Sequence, residues 1–126
     1  MTEDRMSAII ADKMPVRDVT DLRIYQQSMD LLPNVYMLSK QIPERDLRDQ
    51  LQRAARAIAP MITEGFAKKS SPKEFKRFLR MALGSCDEVR THLGQVRILY
   101  KLETQDLEAS YKALSRQISA AIAAWV

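Results

Sequence analysis

The sequence predicts an all-α protein, an up-and-down antiparallel four-helix bundle, and three observations carry that prediction. Apolar residues recur in alternating steps of three and four along most of the chain, the spacing of a buried helical stripe. Three glycines and five prolines among 126 residues are too few for an all-β domain with many tight turns. Alanine, leucine, glutamine, lysine and arginine dominate instead, and these favour helix. With 46% apolar and 29% charged residues, a chain of this size builds one domain with a real core.

Residues 1–17 are predicted as a partly ordered arm, and residues 18–126 as the bundle. In the arm, Met6, Ile9, Ile10 and Met14 fit one side of a short helix that Pro15 stops, either as a tail or as an element packing on a neighbouring subunit. The first long helix is expected from about Asp21 to Gln41, capped by Thr20 or Asp21. Leu22, Tyr25, Met29, Leu32 and Tyr36 form one apolar stripe. A second stripe of Leu31, Val35, Leu38 and Ile42 widens that face. Pro33 removes a hydrogen bond to the Met29 carbonyl and predicts a kink rather than a break, because the pattern runs through it.

After the Ile42-Pro43 turn, the second helix is expected over 44–64 with Leu47, Leu51, Ala54, Ala55, Ile58 and Ile62 inward. Pro60 poses a second kink, and Gly65 suits a left-handed closing residue. Ser71-Pro72-Lys73-Glu74 reads as a capping box: serine cap, proline at the first helical position, glutamate three residues after the serine. The third helix runs from there to about Lys101, roughly 45 Å at 1.5 Å per residue. Phe75, Leu79, Ala82, Cys86, Val89, Leu93, Val96 and Tyr100 form its heptad seam. Thr104 caps a fourth helix with Leu107, Tyr111, Leu114, Ile118, Ala121 and Trp125 inward. Short connections make neighbouring helices antiparallel.

Catalytic and metal chemistry find little support, so no enzyme, cofactor or metal is expected. A carboxylate-bridged metal pair in a bundle needs a Glu-x-x-His motif on each of two helices. The single histidine, His92, pairs at most with Glu88 and reads as a surface ion pair or hydrogen bond. Cys86, the only cysteine, sits on the heptad seam as a small buried hydrophobe and excludes an internal disulfide. Glu64 has no acid–base partner nearby in sequence. Gly65-Phe66-Ala67-Lys68-Lys69-Ser70 lacks phosphate-loop spacing and follows a helix, not a strand. The acidic opening Met1-Thr2-Glu3-Asp4-Arg5 is unlike a secretory leader, and no apolar run approaches the roughly 20 residues that span a bilayer. A cytoplasmic location without membrane attachment follows as the expectation.

What remains is charge. The formal net charge is +4, but its distribution is uneven: ten Lys/Arg against five Asp/Glu between Glu44 and Arg80, and ten against eleven elsewhere. Lys73, Lys76, Arg77 and Arg80 share an arc of about 100° on the third helix, with Phe75, Phe78, Leu79 and Ala82 opposite. Lys68 and Lys69 enter just upstream, and Arg56 on the second helix is placed to extend the ridge. A one-sided basic ridge backed by a core suits phosphate contacts, though a solvated face is the plainer reading of any charged helix.

Several short runs form a joint pattern: Glu64-Gly65, Ser71-x-x-Glu74-Phe75-x-x-Phe78-Leu79, Ala82-x-Gly84-Ser85-x-x-Glu88, Asp21-Leu22-x-Ile24-Tyr25-Gln26, Val35-Tyr36-x-Leu38-Ser39 and Gln50-Leu51-x-Arg53-Ala54-Ala55. Together they resemble a bacterial four-helix bundle family first noticed in intervening sequences of large-subunit ribosomal RNA genes. The resemblance spans about residues 18–125 and implies a homopentamer with no established enzymatic activity. The architecture is also similar to the accessory variability protein of diversity-generating retroelements, which implies a reverse transcriptase and nucleic acid as partners. Ala57, Met61 and Thr63 depart from the family's serine, asparagine and alanine. The leading expectation is therefore a non-enzymatic oligomeric adaptor that binds RNA or an RNA–protein complex through its basic ridge. The alternative is a structural or protein-recruiting scaffold.

Overall fold

The computed structural model describes residues 16–125, whose regular elements are all helices with no strand among them. The arm expected over residues 1–17 lies outside the described residues except for Val16 and Arg17. Four rods emerge. The first consists of α1 (Arg23–Asp30) and α2 (Leu32–Ser39); the others are α3 (Arg45–Ala67), α4 (Pro72–Tyr100) and α5 (Gln105–Ala124). No described helix is long and apolar enough to cross a membrane.

The first rod begins differently from the expectation. A single 3-10 turn, Val19–Asp21, precedes it, and Asp18 rather than Thr20 caps that turn. The Asp18 carboxylate accepts from the Thr20 amide at 3.3 Å, while Asp21 accepts from the Asp18 amide at 3.0 Å, a reciprocal capping box. Leu22 then leads into α1 with no side-chain cap. Between α1 and α2 only Leu31 leaves the helical pattern, with φ −81° and ψ −16°. The amides on either side still bond, Leu31 to Gln27 and Val35 to Leu31, both at 3.2 Å. Pro33, which has no N–H to offer, follows this one-residue interruption, and the rod continues as a second short helix rather than the single kinked helix expected.

The face this rod turns inward draws mainly on the second stripe, and of the first only Leu22 is fully buried. Ile24, Ser28, Leu31, Val35, Ser39 and Ile42 are buried. Tyr25, Leu32 and Tyr36 are only partly covered, and Met29 is 42% exposed. Serines on the inner stripe disguise it in the sequence. Each hydroxyl donates back to its own helix, Ser28 to the Tyr25 carbonyl and Ser39 to the Val35 carbonyl, both at 2.7 Å, so burial leaves no orphaned group.

α3 carries its expected inward residues into the core and passes through Pro60 without interruption. It also passes through Gly65, ending three residues beyond the expected Glu64. No glycine among the described residues has positive φ, so Gly65 does not close the helix. Its role is close approach. A β-carbon there would lie 2.9 Å from Phe78 Cβ and 3.2 Å from the Phe75 carbonyl oxygen, both on α4. Only glycine lets the two backbones come this near.

α4 is the spine, 29 residues or roughly 44 Å long at 1.5 Å per residue. It packs along both α3 and α5, while the first rod packs mainly on α3. Seven of its eight expected seam residues are buried; Tyr100 is half-buried and donates to Glu44 Oε1 at 2.8 Å, tying the end of α4 to the start of α3. Lys101, with φ 58°, ends the helix in the left-handed region. In α5, Tyr111, Leu114, Ile118 and Ala121 are buried, with Leu107 and Trp125 at the margins of the core. Thr104 precedes α5 but does not cap it through its hydroxyl, which donates instead to Glu108 Oε2 at 2.6 Å.

Candidate nucleic-acid interface

The basic ridge begins where α3 hands over to α4. Ser71 Oγ accepts from the Glu74 amide at 3.3 Å, so half of the predicted capping box forms. Glu74 does not reach back to Ser71. Its carboxylate takes Arg77 instead, with Nε 2.9 Å from Oε2. The first turns of α4 thus combine the positive end of a long helix dipole with a nearly one-signed set of side chains. Lys68, Lys69, Lys73, Arg77 and Arg80 are exposed and Lys76 is half-buried.

Two aromatic rings fix the positions of three of these charges. Phe78, expected on the buried side, is half-exposed, with Arg77 Cζ 4.4 Å and Lys68 Nζ 5.1 Å from its ring centre. Lys69 Nζ stands 3.9 Å from the centre of Phe66. Such contacts hold a cation against a ring face while leaving its outer side in water. Behind them, Phe66 meets Phe75 edge-on at 6.3 Å, and Phe75 meets Trp125 at 4.6 Å. A rigid apolar wall therefore backs the charged surface. At its edge Asp18 approaches; hydrogen bonds from Thr20 hold its carboxyl below the ordinary range, with a smaller contribution from Lys69.

Arg56 does not extend this ridge. At 100° per residue it lies about 180° around α3 from Gly65, the residue that faces α4. It lines a groove against the first rod. The structure thus brings together Lys68, Lys69, Lys73, Lys76, Arg77 and Arg80 and leaves Arg56 on another face. The involvement of Phe66 and Phe78 was not read from the sequence. Its only signal there is an aromatic residue within two or three positions of paired lysines.

A family model described as 23S rRNA-intervening sequence protein matches residues 20–123. The chain belongs to that family. No individual curated protein matches it. Within this chain, the motif residues named above serve different ends. Gly65, Phe75 and Phe78 build the α3–α4 seam, and Leu79 and Ala82 fill the core. Ser85 and Glu88 line a shallow depression with Gln50, Arg53 and Ala57. Ala57, in place of the pattern's serine, lines that same depression, while Met61, in place of its asparagine, packs on the core.

The remaining reactive groups are occupied structurally. His92 is buried rather than on the surface. Its Nδ1 lies 2.9 Å from Gln95 Oε1, while Nε2 stands 3.6 Å from Glu88 Oε1, too far for a hydrogen bond. Cys86 is fully buried, donates to the Tyr111 carbonyl at 3.2 Å and accepts from Ser115 Oγ at 3.2 Å. Burial pushes its thiol up to about 11, so little nucleophilic thiolate forms near neutrality. Among the described residues, no group of three or more His, Cys, Asp or Glu is placed to hold a metal ion.

Proposed function

We propose that this protein is a non-enzymatic adaptor that binds RNA, alone or within an RNA–protein complex, through the Lys68–Arg80 ridge. The observation that carries the reading is the convergence of six cations on one end of α4, three of them held on aromatic rings, with Glu74 the acid that forms a salt bridge with them among the described residues. The family's description connects its members with intervening sequences of 23S rRNA, which supports RNA over other polyanions. In this reading the protein acts in the cytoplasm as a homopentamer, a stoichiometry that light scattering on the purified protein tests directly. A reverse transcriptase or another protein is the partner in the alternative, scaffolding reading, which exposed Ile98 and Leu99 on α4 favour.

Affinity for single-stranded RNA across a salt series is the deciding measurement. Contact with several phosphates gives a log–log slope of roughly −0.7 per phosphate. Reversing Lys73, Lys76, Arg77 and Arg80 to glutamate is expected to flatten that slope and abolish binding at low salt without changing helicity. No binding by the unmodified protein, or a response indifferent to salt, removes the proposal. Cellular partners retained after charge reversal favour the scaffold.

A further inference from the structure

Positive charge on α4 does not stop at Arg80. Counted at 100° per residue, Lys76, Arg80, Leu83, Asp87 and Arg90 fall within an arc of about 80°. That stripe is the edge α4 turns toward α5, since Asp87 Oδ1 accepts from Ser115 Oγ of α5 at 3.0 Å. Lys112, Arg116 and Ser119 form the facing edge, within about 60° of one another. Between the two edges lie two shallow depressions of about 450 and 380 Å³, which share Asp87, Arg90 and Lys112 and so make one furrow. Its near end, at Leu83 and Ser119, is about one helical turn past Arg80. From Leu83 to Thr91 it runs roughly 12 Å at 1.5 Å per residue.

The acids beside the furrow are engaged and the cations are not. Glu108, four residues before Lys112 and its natural helical partner, accepts instead from Arg97 at 3.0 Å and from Thr104 at 2.6 Å. Asp87 is held by Arg90 Nη1 at 3.3 Å as well as by Ser115. Lys112 and Arg116 are exposed and form no ion pair with another described residue. They stand four apart, an arrangement of like charges that works against their own helix. An anion lying between the helices would relieve that repulsion. The furrow is open and continuous with the ridge, which suits a chain of phosphates rather than a single small anion.

Resting on the RNA reading above, we propose that the bound strand continues from the ridge into the α4–α5 furrow, where Arg90, Lys112 and Arg116 contact its phosphates. Lys76 and Arg80 are the residues that join the two parts, and the exposed Ser119 hydroxyl offers a further hydrogen bond to the backbone. Asp87 is the one charge on this path that opposes the strand.

Lysine acetylation of the full chain, with and without a mixed-sequence single-stranded RNA oligonucleotide, locates the contact. RNA is expected to protect Lys112 along with Lys73 and Lys76 and to leave Lys40, on the first rod, reactive. Lys112→Ala combined with Arg116→Ala acts at exposed helical positions that alanine suits, so the far-ultraviolet circular dichroism should not change. The log–log salt slope of RNA affinity should lose roughly 1.4 of its magnitude, two phosphates at roughly 0.7 each. Asp87→Asn should tighten binding severalfold. A wild type that binds RNA while Lys112 stays reactive, or a double variant that keeps the full slope, removes the furrow and leaves the ridge reading standing. A wild type that binds no RNA overturns both.

Discussion

The two flanks of α3 are built on opposite rules. Toward α4, Gly65 removes even a β-carbon so that Phe75 and Phe78 can seat against the backbone. Toward the first rod, Ala59, Thr63 and Ala67 are also small, yet the neighbour does not move in to meet them, and a groove remains. Small residues alone therefore do not produce close packing. What differs is the partner: α4 is continuous over 29 residues and meets α3 with a regular seam, whereas the first rod is two eight-residue helices interrupted at Leu31.

The largest effect that sharpens this contrast is loss of a seam aromatic. Phe75→Ala removes a fully buried ring that contacts both Phe66 and Trp125 and should cost about 3–5 kcal/mol in urea unfolding. Met29→Ala in the groove, where the side chain is already 42% exposed, should cost under about 1 kcal/mol. Equal losses would mean the groove is packed as tightly as the seam.

Next comes a pair of glycines with opposite signs. Gly65→Ala pushes a methyl to within 2.9 Å of a β-carbon that cannot swing away, and should destabilise by about 1–3 kcal/mol despite alanine's better helix propensity. Gly84, on α4, has nothing within 4 Å of its added β-carbon. Gly84→Ala should therefore stabilise by about 0.5–1 kcal/mol. A destabilised G84A variant would show that this face of α4 is covered by something else.

The smallest effect concerns acid. The Arg97 guanidinium, 3.0 Å away, and then Thr104 hold Glu108 below the ordinary glutamate range. A carboxylate depressed on folding contributes stability above its unfolded pKa, and that contribution disappears as pH falls through the folded value. The advantage of wild type over Glu108→Gln in urea midpoint should be present at pH 7 and shrink below about pH 4.5. Solvent exposure of the pair keeps the difference small.

Sequence periodicity located every rod and nearly all of the α4 and α5 cores, because those helices each have a single unambiguous apolar stripe. For the first rod it gave two adjacent stripes without ranking them, and only part of that wide face is fully buried. Tyr25, Met29, Leu32 and Tyr36 look greasier than a stripe interrupted by Ser28 and Ser39, and nothing local reveals that those hydroxyls satisfy themselves on their own helix. Gly65 misled for a related reason: a glycine near a helix end signals a cap, while close approach depends on a residue ten or more positions away. Of the candidate interface, spacing identified the α4 ridge. The stacking of Lys68 and Arg77 on Phe78 arises only when the α3–α4 turn folds back. Arg56 was misplaced because angular position around α3 could not be related to α4 before the seam was known.

The interruption at Leu31 also bears on time rather than on shape. α3 and α4 each pair extensively with the helix that follows, whereas the first rod depends largely on one neighbour and presents two short helices, the first without a side-chain cap. Local opening follows the weakest cooperative unit. Hydrogen exchange should therefore release the amides of Arg23–Ser39 at a lower free energy than those at the centre of α4. The flank that bears the groove can then breathe while the helical hairpins that shape the basic surface stay shut.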